Sequence, residues 1–253
     1  MKVVLFCGGF GTRLREYSET IPKPLVPIGN RPILWNLMKY YAHQGHREFI
    51  LCLGYRGDLI REYFLSYNDC LSTDFRLSGS KIELFGSGIE DWDITFVDTG
   101  MRSNIGERLV AVRKFIDDEV FLANYSDGLS DVDMDAIIET LRARDAVAAF
   151  VSVKPSNSLS KVESDSDGTV QNIEYLSDSI YINAGFFVFT PGIYDYIGNG
   201  EELVEEPFQK LIADGKLVTY KHEGFWRAMD TFKDKMAFDA MCEQDFRPWE
   251  IWR

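Results

Sequence analysis

The sequence predicts an α/β fold built on a doubly wound, mostly parallel sheet, with β-rich insertions in its second half. Three observations predict it. Short apolar runs alternate with amphipathic stretches through the first half. The first of these runs ends in glycines, as a buried parallel strand does before a ligand-binding turn. In the second half the runs become strand-like and are separated by polar stretches rather than helices.

The elements follow in order. Lys2–Cys7 is a continuous apolar run and reads as a strand buried on both faces. Pro32 opens a helix whose apolar positions Ile33, Leu34, Leu37, Met38 and Tyr41 recur at helical spacing. Phe49–Leu53 is the next strand, and Gly57–Tyr67 the next helix, with Leu59, Ile60, Tyr63 and Phe64 on one face. Ile94–Val97, Glu107–Ile116 and Val120–Ala123 repeat the strand, helix, strand theme. This alternation implies βαβ units and a Rossmann-like sheet.

Beyond residue 130, Ala146–Val153, Thr169–Ile173 and Tyr181–Phe189 read as strands, the first two separated by a Ser/Asp-rich stretch over Ser156–Gly168. Helices resume at Gly192–Ile197, Val204–Asp214 and Thr231–Glu243, and Trp249 and Trp252 mark a docked tail. No Pro- or Gly-rich linker and no internal repeat interrupts the chain. It reads as a single domain over residues 1–253, with a change of character near residue 130 and an embellished second half.

Composition narrows the function. The 253 residues are 45% hydrophobic and 14% aromatic, as in an ordinary globular protein, and the formal net charge is −13. So acidic a chain lacks the basic field that nucleic acid or an anionic membrane surface requires. The opening residues lack the apolar core of a signal peptide, and no apolar run is long enough to span a bilayer, so the expectation is a soluble, cytoplasmic protein. Cys7, Cys52, Cys70 and Cys242 show no metal-knuckle spacing; Cys7 and Cys52 end apolar runs and read as buried thiols. His43, His46 and His222 have no nucleophile–base spacing and read as surface or capping residues.

The loop Gly8-Gly9-Phe10-Gly11-Thr12-Arg13-Leu14 follows the first strand. Glycines there let backbone N–H groups approach phosphate oxygens, and Arg13 can add a bidentate fork. A Walker loop would end in Gly-Lys-Ser/Thr, which is absent, and the dinucleotide fingerprint would have glycine where Leu14 stands. Further on, Ile21-Pro22-Lys23-Pro24-Leu25-Val26-Pro27 holds a lysine between prolines that restrict the backbone and keep it extended. Alone, that lysine reads as a surface residue of a Pro-rich connector.

Together, the Gly-Gly-x-Gly-Thr-Arg-Leu and Pro-Lys-Pro-Leu-x-Pro segments resemble the signature of the sugar-1-phosphate nucleotidyltransferases. The rest of the chain resembles the glucose-1-phosphate cytidylyltransferase branch, through Arg31-Pro32-Ile33-Leu34-Trp35, Gly54-Tyr55, Val97-Asp98-Thr99-Gly100, Tyr125-Ser126-Asp127-Gly128, Ile182-Asn183-Ala184-Gly185-Phe186-Phe187-Val188 and Gly224–Thr231. The resemblance implies transfer of a nucleoside monophosphate unit, CTP favoured with UTP open, to a sugar 1-phosphate or related phosphorylated acceptor. It implies Arg13 and Lys23 as catalytic residues. Gly8, Gly9, Gly11, Thr12, Arg13, Lys23, Ser103, Arg108 and Ser126 are its implied nucleotide contacts. It implies Mg2+ held by Asp127 and Asp230, and a homo-oligomer, a trimer or hexamer.

The aspartates have an independent chemical reading. Asp127 ends a strand in a turn, where an active-site carboxylate projects, and Asp230 follows Phe225-Trp226, which can hold its loop down by packing. Mg2+ usually takes one or two protein carboxylates. Read alone, without the resemblance, Asp127 reads as a turn residue and Asp230 as the N-cap of the following helix.

The chain departs from the family on the acceptor side. Glu174-Tyr175-Leu176 stands where many members have Glu-Lys-Pro, so the lysine that grips the sugar phosphate is missing. Lys161 is the candidate substitute, with Glu174 and Asn183 as further acceptor contacts; a solvent-facing Lys161 is the alternative. Two rivals stand beside the enzyme reading. Asp131-Val132-Asp133 has the form of a glycosyltransferase metal motif, although Asp133 also fits the start of a helix. A catalytically silent nucleotide-sugar sensor would have no need of both carboxylates.

Overall fold

In the computed structural model, residues 1–9, 21–86, 88–155, 160–175 and 180–253 are described. Seven strands form one sheet: β1 (Lys2–Phe6), β2 (Glu48–Leu53), β3 (Asp93–Asp98), β4 (Phe121–Asn124), β5 (Ala148–Val153), β6 (Ile182–Phe189) and β7 (Leu217–His222). Their spatial order is β7-β5-β6-β4-β1-β2-β3. All pairings are parallel except those of β6, which runs antiparallel to both β4 and β5. The sheet is therefore mixed and mostly parallel, and it runs through both halves of the chain.

Side-chain alternation along these strands feeds two cores. Val3 and Leu5 of β1 face one, together with Phe49 and Leu51 of β2 and Phe186 and Val188 of β6. Val4, Phe6, Ile50, Cys52, Phe187 and Phe189 face the other. A strand with both faces covered must be apolar at every position, which is why β1 is a continuous run. Each large apolar side chain so buried contributes about 1.5–3 kcal/mol.

Helices cover both faces: α1 (Ile33–His43), α2 (Gly57–Leu65), α3 (Ile105–Val112), α4 (Met134–Ala143), α5 (Glu206–Ala213) and α6 (Phe232–Glu243). The apolar stripes of α1 and α4 enter the first core, those of α3 and α5 the second. Asn104 and Glu107 form a capping box at α3, and Asp133 caps α4 by accepting from Asp135 N. The tail is docked as expected: Trp249 is fully buried against Phe225 and Phe238, and Trp252 meets Trp35 edge-on.

The structure corrects several sequence expectations. Ser160–Ser164 is a strand paired antiparallel with Val170–Tyr175, so the polar stretch is half hairpin. Leu217–His222, for which the sequence predicts no element, is the edge strand β7. The helix expected over Glu107–Ile116 begins at Ile105 and tightens into a 3-10 turn at Arg113–Phe115, and Gly192–Ile197 is the 3-10 turn Pro191–Asp195. His46 is buried, not on the surface, and His222 is half-buried against Asp131.

Candidate active site

The chain runs β1, β2, β3 in one direction and then crosses to place β4 on the other side of β1. That reversal opens a crevice beyond the carboxyl ends of β1 and β4, where ligands of doubly wound sheets bind. Gly8 and Gly9 leave β1 on one side, and Ser126 and Asp127 leave β4 on the other. A cavity of about 520 Å³ lies there, walled also by Lys23, Asp230, Ser103 and Arg108. Gly11, Thr12 and Arg13 lie outside the described residues.

Asp127 and Asp230 are far apart in sequence but are joined by a two-stranded ribbon. Gly128–Ser130 pairs antiparallel with Trp226–Ala228, and Met229 N donates to Asp127 O at 2.8 Å. The register thus sets Asp230 one residue beyond the partner of Asp127. Trp226 fastens the ribbon to β6 by donating from Nε1 to Ala184 O, and Phe225 packs on Trp249. The packing role expected for Phe225-Trp226 is therefore filled by both residues, through different contacts. Asp230 is not the N-cap of α6: Thr231 is, in a capping box with Asp234.

Lys23 completes the cluster. Its segment is extended at Pro22 and from Val26 into the short strand Pro27–Ile28, while Lys23–Leu25 forms a 3-10 turn, a correction to the expected extended run. Pro24 is buried and Val26 N bonds back to Lys23 O, so the turn is rigid. The Lys23 ammonium donates to Asp127 Oδ2 and Asp230 Oδ1, each at 2.8 Å. Burial alone would lower the Lys23 pKa, but the two carboxylates outweigh it and the net shift is upward. Burial pushes the Asp127 carboxyl up, against the opposing pull of Lys23.

Ser126, just before Asp127, is fully buried with a φ of 65°, a left-handed conformation that costs a non-glycine residue roughly 1–3 kcal/mol. Asn124 Oδ1 accepts from Ser126 N at 2.8 Å, and the Cys7 thiol donates to Ser126 Oγ at 3.6 Å. These contacts hold the turn that aims Asp127 into the crevice.

Arg108 is buried and acts as a clasp. Its guanidinium donates to Gly8 O and Leu53 O, both at 3.1 Å, and to Thr99 Oγ1 at 2.7 Å. It thereby ties together the ends of β1, β2 and β3. A Cβ at Gly8 would lie 2.1 Å from an Arg108 nitrogen, so any larger residue there must displace the guanidinium from its clasp. Ser103 donates to Thr99 O at 2.5 Å from the same wall.

The acceptor candidates are not brought together with this cluster. Lys161 and Glu174 face each other across the exposed hairpin, and the lysine is ion-paired with both Glu163 and Glu174. Asn183 lies at the start of β6, accepts from Gly185 N and bonds to Tyr125. Neither half of Asp131-Val132-Asp133 reaches the cavity: Asp131 is bonded to His222 and Phe225 N, and Asp133 caps α4. Sequence reasoning missed Tyr125, Asn104 and Glu202, which also line the cavity. Tyr125 stood inside a quoted motif without a role, whereas nothing in the acidic run around Glu202 marks it as a site residue.

The family model described as "Nucleotidyl transferase" matches residues 2–242. The chain belongs to the nucleotidyl transferase family. It is 38% identical, over the whole of both chains, to the glucose-1-phosphate cytidylyltransferase of Salmonella typhi, and 38% identical over the same extent to the probable glucose-1-phosphate cytidylyltransferase of Bacillus subtilis. Among solved structures it is similar to HddC from Yersinia pseudotuberculosis, with TM-score 0.70, 22% identity, and 96% of this chain and 99% of that one covered. A UDP-glucose pyrophosphorylase complexed with UDP-glucose superposes with TM-score 0.70 at 14% identity, covering 96% of this chain and 98% of the other. At those identities the structural matches speak for the fold alone, and they agree with the doubly wound, mixed sheet.

Proposed function

We propose that this nucleotidyl transferase joins a nucleoside triphosphate, CTP favoured, to a sugar 1-phosphate or related phosphorylated acceptor, giving a CDP-sugar and pyrophosphate. The observation that carries the reading is the convergence of Lys23, Asp127 and Asp230 at the mouth of the β1/β4 crevice. The full-length likeness to the Salmonella and Bacillus proteins supports cytidine as the base and glucose 1-phosphate as the first acceptor to try.

The geometry suits an in-line displacement. A phosphate oxygen of the acceptor attacks the α-phosphorus of the triphosphate, the new P–O bond forms, and the bond to the β-phosphate breaks to release pyrophosphate. The nucleophile is already anionic, so no general base is required. Gly8 and Gly9 leave room for the backbone to approach phosphate oxygens, while Lys23 offers a cation on a stiff turn. Arg13 is the second proposed cation, and Gly11 and Thr12 belong to the same proposed loop.

Asp127 and Asp230 are the proposed holders of Mg2+. Two carboxylates that already converge on one ammonium present hard oxygen donors around a single cation-sized position, and this fits a metal that takes most of its ligands from phosphate and water. Among the described residues no group of three or more His, Cys, Asp and Glu could hold a metal. When bound, the ion supplies charge neutralisation at the phosphates.

Lys161 remains the proposed grip for the acceptor phosphate, exchanging its present partners Glu163 and Glu174 for the ligand. A homo-oligomer, trimer or hexamer, is proposed, and the exposed Leu65, Leu71, Leu77 and Phe85 are apolar side chains that such an assembly could cover. Light scattering on the purified protein tests it, and a monomeric mass would dispose of it. No helix among the described residues is long and apolar enough to cross a membrane; a cytoplasmic location is the proposed setting. The reaction itself is tested by pyrophosphate release with each nucleoside triphosphate, Mg2+ and a panel of phosphorylated sugars.

A further inference from the structure

We propose that Glu202 reads the base of the nucleoside triphosphate, its carboxylate accepting from the exocyclic amino group of cytosine. The proposal rests on the nucleotide reading above and adds to it a residue that sets the choice of base.

Glu202 belongs to the second half of the chain but lines the cavity shared by Lys23 and Asp127. Its carboxylate lies against the start of α3. Oε2 accepts from Ile105 N at 3.3 Å, and Oε1 accepts from Leu203 N at 3.0 Å. Burial, and after it the negative charge of Glu202, raise the phenol pKa of Tyr125, another cavity residue.

The backbone around Glu202 is held by contacts besides those of its side chain. Asn104 Nδ2 donates to Gly200 O at 2.9 Å. A Cβ at Gly106 would come within 2.3 Å of Glu201 O, so residues 200–203 press directly onto the first turn of α3. Leu203 is fully buried in the second core. The backbone position of Glu202 is therefore fixed by its neighbours as well as by its own two side-chain bonds.

The triphosphate position leaves this wall to the nucleoside. Phosphates belong at the first βα turn of a doubly wound sheet, here Gly8 and Gly9 beside Lys23. From there the nucleoside can extend over the ends of β2 and β3, where Thr99, Ser103 and Asn104 stand. Besides Asp127 and Asp230, Glu202 is the acidic side chain among the described residues lining the cavity, and it is bonded to the α3 start that follows Ser103 and Asn104.

An ionised carboxylate only accepts, and its two oxygens offer about four lone-pair sites, of which two backbone N–H groups fill two. At C4 cytosine presents an amino donor, whereas uracil presents a carbonyl oxygen. A carboxylate bonds the first and repels the second, which is the basis of carboxylate recognition of cytosine elsewhere. Discrimination of roughly tenfold or more follows from one such contact.

Calorimetric binding of CTP and UTP to the wild type and to Glu202→Gln, without acceptor, tests this directly. The same two nucleotides are then compared by kcat/KM for pyrophosphate release with glucose 1-phosphate. Glutamine keeps one acceptor oxygen, for Ile105 N, gives up the bond from Leu203 N, and can turn its amide to donate to O4. The expected result is a wild-type preference for CTP that narrows at least tenfold in Glu202→Gln, mainly through gain with UTP. Equal wild-type affinity for the two nucleotides, or an unchanged ratio in the variant, overturns the proposal. Loss of a merely structural contact would weaken both nucleotides together and leave the ratio unchanged, so it falls among the overturning results. Absence of pyrophosphate release would sink the reaction while leaving the calorimetric ratio to decide the role of Glu202.

Discussion

The ammonium of Lys23 and the carboxylate of Asp127 meet at 2.8 Å across the crevice between β1 and β4, and the same ammonium reaches Asp230 at 2.8 Å. One cation thus holds two carboxylates that the ribbon Gly128–Ser130 and Trp226–Ala228 has already brought side by side. Lys23→Met should leave both anions without this partner and cost about 1–3 kcal/mol of stability. Because a metal on the same carboxylates replaces the lost cation, Mg2+ should raise the thermal midpoint of Lys23→Met by more than that of the wild type. Differential scanning fluorimetry with and without Mg2+ measures this, and an equal Mg2+ effect on both proteins would count against a shared carboxylate site.

Gly8→Ala addresses the clasp beneath the first loop. The added methyl would sit 2.1 Å from an Arg108 nitrogen and force the guanidinium off Gly8 O. The fold should persist, since neither core is touched. The KM for the nucleotide should rise at least about tenfold, the effect of losing a charge-assisted hydrogen bond at a binding loop. Steady-state kinetics against a circular dichroism melt separate the two effects, and an unchanged KM would mean that the clasp does not position the loop.

Thiol chemistry gives a pH-dependent test of the core. Burial pushes the Cys7 thiol up to about 12 and raises Cys52 and Cys242 as well, but Cys70 and Cys242 are partly exposed where Cys7 and Cys52 are buried. Thiolates are the reactive form, so iodoacetamide at pH 8 should modify Cys70 and Cys242 and spare Cys7 and Cys52 until denaturant is added. A thiol whose folded pKa is raised contributes stability that is full below its unfolded pKa of 9.0 and lost as pH climbs toward 12. Mass spectrometry of the labelled peptides checks the pattern, and rapid native labelling of Cys7 would contradict the buried placement.

Trp249→Ala should act at a distance. The ring is fully buried between Phe225 and Phe238, so truncation should cost about 3–5 kcal/mol. Since Phe225 begins the segment that carries Asp230, turnover should fall further than the loss of folded protein accounts for. Urea unfolding and activity per folded molecule, measured together, test the coupling.

Legibility in the sequence followed burial. β1, β2 and β6 were readable because strands covered on both faces must be apolar throughout, and α1 because its stripe repeats at helical spacing. β7 was not: Thr219 and Lys221 are exposed on an edge strand, so only half its residues carry a hydrophobic signal. The hairpin Ser160–Ser164 with Val170–Tyr175 is exposed through most of its length and reads as a polar loop for the same reason. In the site, Lys23, Asp127 and Asp230 stood in motifs, but their meeting depends on the pairing of Gly128 with Ala228, a contact between distant segments. Arg108 stood in the sequence as a nucleotide contact, and its clasp on Gly8 O and Leu53 O was visible only once three strand ends converged. Glu202 had no local pattern at all, because its place depends on the packing of residues 200–203 against Gly106.

Pyrophosphate release tests the central claim most directly. Purified protein with Mg2+, CTP and glucose 1-phosphate, followed by a panel of other phosphorylated sugars, should release one pyrophosphate for each CDP-sugar formed, and Lys23→Met or Asp127→Asn should abolish the release. No pyrophosphate with any combination of triphosphate and acceptor would contradict the account.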